Sequence, residues 1–287
     1  MLLNDIYQSV KKEITQNENV KEIILNGGFT GVRLSNDSMG ISMNVRSGSS
    51  SNLPVKEYLL TLVNKDCFLC CDSLFESISK TPVSTPERFL FNSVIIALLN
   101  AMSSPLVNVH NLLSKGYAVS SGQNEGLLKY VQDGDIITIV GYGGMVRAMS
   151  KKAKYTYVTE LEPELFTSYH IGATGIAKGP NCAKVIKSSE QKEYFAKSNR
   201  IFITGCTLVT DTMDDILSNC KGKHIIVYGG TAAFLPDVLF SNGVESIHTL
   251  RVNDPELMTD VLLNCGGAAE RFFPMATETL LISNRTK

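Results

Sequence analysis

The hydrophobic and polar positions of the chain change their pattern near residue 120. Beyond it, short runs of branched apolar residues alternate with segments whose apolar positions recur every three or four residues. These are the patterns of buried strands and of amphipathic helices. They predict strands at 136–140, 155–159, 183–187, 200–204, 224–228 and 246–252, and helices at 144–152, 190–197, 212–220, 236–241 and 254–264. Such alternation is typical of a mainly parallel sheet with helices on both faces.

The residues before 120 follow a different pattern. An amphipathic N-terminal helix precedes two short strands joined at Asn26-Gly27-Gly28 and a third strand at 39–46. Thr85-Pro86 then begins a long helix that is apolar on nearly every side. We therefore predict two domains, a smaller α+β domain at 1–115 and an α/β domain at 116–287.

The loop after the first strand of the second domain is a candidate binding loop, because ligands of such sheets bind beyond the carboxyl ends of the strands. Gly141, Gly143 and Gly144 let the backbone approach a ligand closely. Glu160 follows 19 residues after Gly141, where dinucleotide-binding proteins place a ribose-binding acid. Val146 occupies the third glycine position of that fingerprint. The loop thus predicts a ligand-facing turn without specifying a dinucleotide, and a tight turn without a ligand is the alternative.

An acidic pair follows the next strand. If the strand continues, Glu160 and Glu162 point to the same side, since strand side chains alternate. Two carboxylates there are suited to a ribose, a metal or an amine. A solvated acidic loop is an equally good interpretation.

Two later loops, at 204–212 and 229–237, carry hydroxyls and glycines at helix starts. Such groups can bind an anion or carboxylate, although some of them must cap the helices. Thr212 with Asp215 is close to a capping box. No histidine or other base lies near Cys206 in the sequence to make it a nucleophile. The candidate ligand-binding residues of these two loops are Thr204, Gly205, Thr207, Thr210, Thr212, Gly230, Thr231 and Asp237.

Composition excludes several classes of partner. The 27 basic and 28 acidic residues give a formal charge of −1 without a basic run, which argues against nucleic acid. No apolar run is long enough to cross a membrane, so we expect a cytoplasmic protein. The Cys67, Cys70 and Cys71 cluster lacks a second ligand pair and fits a buried helix better than a metal site.

Five segments in chain order resemble the C-terminal domain of a family of unknown function that is named for heavy-metal chelation. They are GYGGMV, VTELEP, ITGCTLVTDTMDDIL, YGGTAAFLPDVLFSNGV and VNDPE, and NSVIIALLNAMSS is similar to the companion N-terminal domain. The resemblance implies an enolase-N-terminal-like α+β domain followed by a Rossmann-like α/β domain, and a link to metal-chelator or cobalamin-related metabolism. The matching positions are Gly141, Gly143, Gly144, Glu160, Thr204, Gly205, Thr212, Gly230, Thr231, Pro236 and Asp237.

These observations favour a small-molecule-binding protein or enzyme of metal-chelator metabolism, with its pocket at the strand ends near the domain interface. A nucleotide-dependent oxidoreductase or transferase and a non-catalytic metal-chelate carrier are the alternatives. Catalytic residues and metal ligands are not identified. The sequence leaves open whether a metal, a metal chelate or a nucleotide serves as cofactor. It also leaves open whether the protein forms a homo-oligomer.

Overall fold

The first half of the chain is a small antiparallel sheet packed against helices. The computed structural model describes residues 1–45, 53–122 and 126–284, so the serine-rich stretch 47–52, for which the sequence predicts a loop, lies outside the described residues. The strands are β1 (Val20–Leu25), β2 (Phe29–Leu34) and β3 (Met39–Met43), in that order in the sheet. The helices are α1 (Leu2–Glu13), α2 (Leu53–Leu60), α3 (Cys67–Lys80), α4 (Pro86–Ser103) and α5 (Val109–Ser114).

The second half contains the large sheet. Its strands and those of a separate hairpin are β4 (Ala118–Ser121), β5 (Ile136–Val140), β6 (Tyr155–Glu160), β7 (Ser168–Gly172), β8 (Gly175–Gly179), β9 (Lys184–Lys187), β10 (Arg200–Thr204), β11 (His224–Tyr228), β12 (Ser246–Val252) and β13 (Thr277–Ser283). The helices are α6 (Val146–Lys152), α7 (Gln191–Lys197), α8 (Cys206–Val209), α9 (Met213–Asn219), α10 (Asp237–Ser241), α11 (Pro255–Asn264) and α12 (Phe273–Ala276). Short 3-10 turns lie between them, including Pro163–Phe166 and Gly266–Phe272.

The eight-stranded sheet has the order β4-β13-β12-β11-β10-β5-β6-β9. Strands β12 to β9 are mutually parallel, and β13 pairs antiparallel with both β12 and β4. From the neighbouring strands β5 and β10 the chain builds outward in opposite directions, so their carboxyl ends form the topological switch point where ligands bind in such sheets. The predicted α/β class is confirmed.

The helix-rich cluster of the first half is built around α4, in which every residue from 90 to 103 is buried. Thr85 caps this helix and Pro86 begins it, as the sequence predicts. Helix α4 lies directly on β3: a Cβ atom at Gly40 would stand 2.2 Å from the carbonyl oxygen of Ala97. Helix α3 buries Cys67, Cys70 and Cys71, which confirms the prediction of a core helix there.

The two halves share their core. One continuous cluster of buried apolar side chains includes residues of α1, α3 and α4 together with residues of β10, β11 and α10. Polar contacts cross the same boundary, for example from Asn92 Nδ2 to the carbonyl of Val209 at 2.9 Å. The division at residue 115 therefore stays a prediction about domains. No helix among the described residues is both long and apolar enough to span a membrane.

Candidate functional site

The glycine turn after β5 lies at the switch point. Gly141 has φ +90°, a left-handed conformation that favours glycine. A Cβ atom there would also stand 3.1 Å from Cγ2 of Thr204, which ends the neighbouring strand β10. Gly143 and Gly144 are exposed, and a Cβ atom on either would meet nothing within 4 Å. The turn therefore brings bare backbone to the crevice between β5 and β10.

Glu160 ends the adjacent strand β6 and faces this turn. Its carboxylate accepts a hydrogen bond from the backbone N–H of Tyr142. Burial raises the pKa of Glu160, an effect that hydrogen bonds from the amides of Tyr142 and Leu161 oppose. Lys187 stands opposite it in the β6–β9 register, yet no salt bridge to Glu160 is present among the described residues. Glu160 is thus a half-buried carboxylate beside the glycine turn.

Glu162 does not form a carboxylate pair with Glu160. Strand β6 ends at Glu160, so the alternation of strand side chains does not reach Glu162. Glu162 is exposed at the start of the turn Pro163–Phe166, where its side chain makes no capping hydrogen bond. The expected placement of Glu160 and Glu162 on the same side of one strand therefore does not occur.

Aromatic residues that sequence reasoning missed line the turn. The Tyr142 ring stacks on Phe166 with centroids 5.2 Å apart and an interplanar angle of 19°. Its hydroxyl lies 4.0 Å from Sγ of Cys182. Burial, together with Cys182, raises the pKa of Tyr142. An apolar wall therefore stands next to the Glu160 carboxylate.

Tyr228, the last residue of β11, is a second aromatic side chain that the sequence did not single out. Its hydroxyl donates towards the carbonyls of Val140 at 3.2 Å and Gly141 at 3.3 Å. Burial raises its pKa, and the neighbouring Cys206 and Glu160 side chains add to that rise. The Tyr228 hydroxyl thus hydrogen-bonds the start of the glycine turn and connects the ends of β5 and β11. The only sequence signal was a tyrosine at the end of an otherwise aliphatic run, HIIVY.

The hydroxyls of the 204–212 loop are largely used within the loop. Thr207 donates to the carbonyl of Thr204 at 2.8 Å, and both Thr210 and Thr212 donate towards the carbonyl of Thr207 at 3.4 Å. Thr212 makes no side-chain cap at the start of α9, so the predicted capping box is wrong. The hydroxyl of Thr212 is instead 2.9 Å from that of Thr210. Threonines here stabilise the loop itself.

The same loop anchors the first half of the chain. Asp211, with φ +57°, accepts a hydrogen bond at 2.5 Å from Nε of Arg88 at the start of α4. The side chains of this ion pair are 11% and 16% exposed.

Gly205 is buried, and a Cβ atom on it would stand 3.0 Å from the amide nitrogen of Ala232. Close packing explains the glycine at this position.

The 229–237 loop also faces the first half. Thr231 Oγ1 accepts from the backbone N–H of Met43 at 3.1 Å. Asn100 Nδ2 donates to the carbonyls of Ile41 at 2.7 Å and of Gly230 and Thr231 at 3.2 Å. Asn100 is 2% exposed, so its position inside an apolar helix serves to join the two halves.

Two features of the interface remain, the contact of Asp237 and a small cavity. Asp237, the first residue of α10, accepts a hydrogen bond from the Tyr117 hydroxyl at 2.7 Å. Between the halves lies a cavity of about 10 Å³, lined in part by Gly40, Asn100 and Leu250. That volume holds about one water molecule. Of the predicted residues, Gly141, Glu160 and Thr204 lie together at the neighbouring ends of β5, β6 and β10. The side chains hydrogen-bonded within the protein are Thr207, Thr210, Thr212, Thr231 and Asp237.

Among the described residues, no group of three or more His, Cys, Asp and Glu side chains could hold a metal ion.

The family model described as DUF364, putative heavy-metal chelation, matches residues 127–282. The chain belongs to this family. Two crystal structures of DUF364 proteins of unknown function share the fold over nearly the whole chain. The Pyrococcus horikoshii protein aligns with a TM-score of 0.70 at 15% identity, covering 99% of this chain and 100% of its own. The protein from Desulfitobacterium hafniense DCB-2 aligns with a TM-score of 0.69 at 14% identity, covering 98% of both chains.

The enolase-like character of the first half stays a prediction of the DUF364 resemblance. An enolase from Pseudomonas fluorescens aligns at 9% identity over 79% of this chain and 55% of its own, with a TM-score of 0.29. A score of that size supports no argument about the fold. No curated protein matches the chain.

Proposed function

We propose that this DUF364 protein binds a small molecule of metal-chelator metabolism, as a binding protein or as an enzyme. The ligand would lie over the carboxyl ends of β5, β6 and β10, beside the glycine turn. The observation that carries the proposal is Glu160, a half-buried carboxylate next to the switch point with no salt bridge among the described residues. A buried carboxylate is costly unless a partner satisfies it, so an approaching hydrogen-bond donor is favoured there.

Each part of the crevice has a chemical role in this proposal. The backbone at Gly143 and Gly144 leaves space for close approach of the ligand. Glu160 would accept a hydrogen bond from a hydroxyl or an ammonium group, and the stacked Tyr142 and Phe166 rings would provide an apolar side. If the protein is an enzyme, Glu160 is the candidate proton-transfer group, because its raised pKa moves it towards neutral pH.

Ligand screening with two matched variants tests the proposal. Thermal shifts would be measured with metal-free chelators, with their metal complexes and with adenine nucleotides. Loss of a charged hydrogen-bond partner costs about 1.5–3 kcal/mol, so Glu160→Gln should weaken binding of a hit at least about tenfold. Glu162→Gln is the control, because Glu162 is exposed and its side chain caps nothing. A hit bound equally well by wild type and Glu160→Gln would contradict the site, and incubation of hits with product analysis separates an enzyme from a carrier.

A nucleotide-dependent enzyme is the second candidate. It is favoured by the position of Glu160 beside the glycine turn, at the end of the strand that follows it. It is opposed by Val146, which is 1% exposed and packs in the core where the fingerprint has its third glycine. Absence of any thermal shift with adenine nucleotides would reject this candidate.

A further inference from the structure

The hairpin formed by β7 and β8 projects its side chains into solvent. It lies in the connection between β6 and β9, which are parallel neighbours in the large sheet. Such neighbours are usually joined by a helix that packs on the sheet. In the described sheets β7 and β8 pair only with each other, and all their residues are exposed except the half-buried Gly179. Because an isolated two-stranded hairpin is marginally stable in water, we expect a contact outside this chain to support it.

One face of the hairpin is apolar. In its antiparallel register Tyr169 stands opposite Lys178, and Ile171 stands opposite Ile176. Residues two apart on a strand share a face, and so do residues directly opposite each other on paired strands. The exposed side chains of Tyr169, Ile171 and Ile176 therefore lie on the same side of the hairpin. This side is the unpartnered face of a two-stranded sheet.

The segment that leads into the hairpin enlarges this apolar surface. Leu161 and Leu165 precede β7, and together with the three residues of the apolar face they form what we call the hairpin patch. Its five side chains are between 50% and 76% exposed. At these exposures they offer roughly 400 Å² of apolar surface. A standard interface buries roughly 800 Å² on each partner, of which about 57% is apolar, so the patch supplies nearly all of that apolar share.

The charges beside the patch favour an uncharged partner surface. Between residues 168 and 179 the only basic side chains are His170 and Lys178, and the sequence has no acidic one there. Lys178 is already paired with Glu164, at 3.7 Å. Two copies of this patch can therefore meet without repulsion between like charges. A polyanion or an anionic lipid surface would find no other lysine or arginine on the hairpin.

We propose that the hairpin patch is a self-association surface, on which the same patch of a second copy packs about a twofold axis. Twofold dimers are the commonest assemblies of identical chains, and they use the same surface on both copies. Face-to-face packing buries the large side chains of both hairpins and gives each hairpin the support that its own chain does not provide.

The interface would lie beside the crevice of each copy. Phe166 follows Leu165 in the turn Pro163–Phe166, and its ring stacks on Tyr142 of the glycine turn. The surface does not rest on the small-molecule proposal, because Glu160 is not part of the patch. Glu160→Gln should therefore remain a dimer, and failure of one proposal is distinguishable from failure of the other.

Sedimentation velocity of the full chain between about 1 and 100 µM tests the proposal. Wild type should form a dimer whose dissociation constant rises at least about tenfold in the double variant Ile171→Thr/Ile176→Thr. Threonine is β-branched and pairs well across strands, so this variant removes apolar surface and keeps the hairpin. Leu60→Thr is the matched control, because Leu60 in α2 is also highly exposed but lies in the other half of the chain. It should dimerise as wild type does.

Hydrogen exchange provides a second measurement on the same samples. The amides of β7 and β8 should exchange more slowly in the dimer than in dilute wild type or in the double variant. A wild type that stays monomeric over the whole concentration range overturns the proposal, whether the hairpin is then found bound to lipid vesicles, protected within the monomer or free. A dimer that is unchanged in the double variant, or lost in Leu60→Thr, also overturns it.

Discussion

The ion pair between Arg88 and Asp211 predicts how firmly the two halves are joined. We expect Arg88→Met to destabilise the whole chain, because the substitution removes the guanidinium and leaves Asp211 half-buried without its partner. The same guanidinium also donates to the carbonyls of Ile78 at 2.7 Å and Thr81 at 3.1 Å. Three acceptors from both halves would lose one donor group.

The magnitude follows from burial. Breaking a buried pair by removing one partner costs about 3–5 kcal/mol, and surface pairs are worth about 0–1 kcal/mol. With side chains 11% and 16% exposed, this pair belongs near the lower end of the buried range, at about 3 kcal/mol. For a chain of 287 residues, that free energy lowers Tm by about 5 °C.

Calorimetry of a double-mutant cycle measures the effect. Asp211→Asn removes the charge and keeps a residue that tolerates the left-handed conformation at this position. Lys80→Met is the control, because the Lys80–Glu76 pair is 71% and 68% exposed and should matter by less than about 0.5 kcal/mol. We expect Arg88→Met and Asp211→Asn to be clearly non-additive within one unfolding transition. Additive effects, or an Arg88→Met shift as small as that of Lys80→Met, would refute the reasoning.

Three further predictions concern the close packing of glycines and the Glu160 carboxylate. Gly40→Ala should lower the free energy of unfolding by about 3 kcal/mol or more, because its Cβ would overlap the backbone of α4. Gly28→Ala is the control, since a Cβ there meets no atom closer than 3.8 Å. It should change the free energy of unfolding by less than about 1 kcal/mol in the same denaturant titrations. The folded state raises the pKa of Glu160, so this side chain contributes most to stability below its ordinary pKa. That contribution is lost as the pH rises through the folded pKa, because the buried carboxylate becomes charged. The Tm of Glu160→Gln should therefore exceed that of wild type at pH 7 but not at pH 4. Gly141→Ala should cost about 1–3 kcal/mol through its left-handed φ and the nearby Thr204 methyl, while Gly143→Ala at an open position should be close to neutral in the same thermal melts.

Much of the large sheet could be predicted because its strands are buried on both faces. The run IITIV, for example, has apolar residues at four of five positions and ends at a glycine, which leaves little alternative to a central strand. The edge strand β4 and its neighbour β13 escaped prediction. Strand β4 has only four residues, AVSS, and β13 alternates buried and half-exposed positions without a following helix. Their strand character comes from pairing with each other and with β12, which local sequence does not show.

The hairpin β7–β8 was missed for a different reason. Nearly all of its residues are exposed, so no core imposes an apolar pattern on it. Within the candidate site, Gly141 and Glu160 could be placed at one edge because parallel strands end together. The roles of Asn100 and Met43 depend on how the first half packs over the later loops, a contact between residues more than a hundred positions apart. No periodicity in the sequence carries that information.

The packing of the first half decides what kind of ligand the crevice favours. It covers the loops after β10 and β11. Threonine hydroxyls of the first loop donate to carbonyls of their own segment, and Thr231 of the second accepts from the amide of Met43. The open part of the edge then presents the glycine turn and Glu160, and the amide of Tyr142 already donates to that carboxylate. A phosphate approaching this turn would meet a carboxylate where it needs a free amide, which opposes the nucleotide hypothesis. A ligand that brings its own donor, such as an amine or a hydroxyl of a chelator, would satisfy the carboxylate, and this is why we place the small-molecule proposal first.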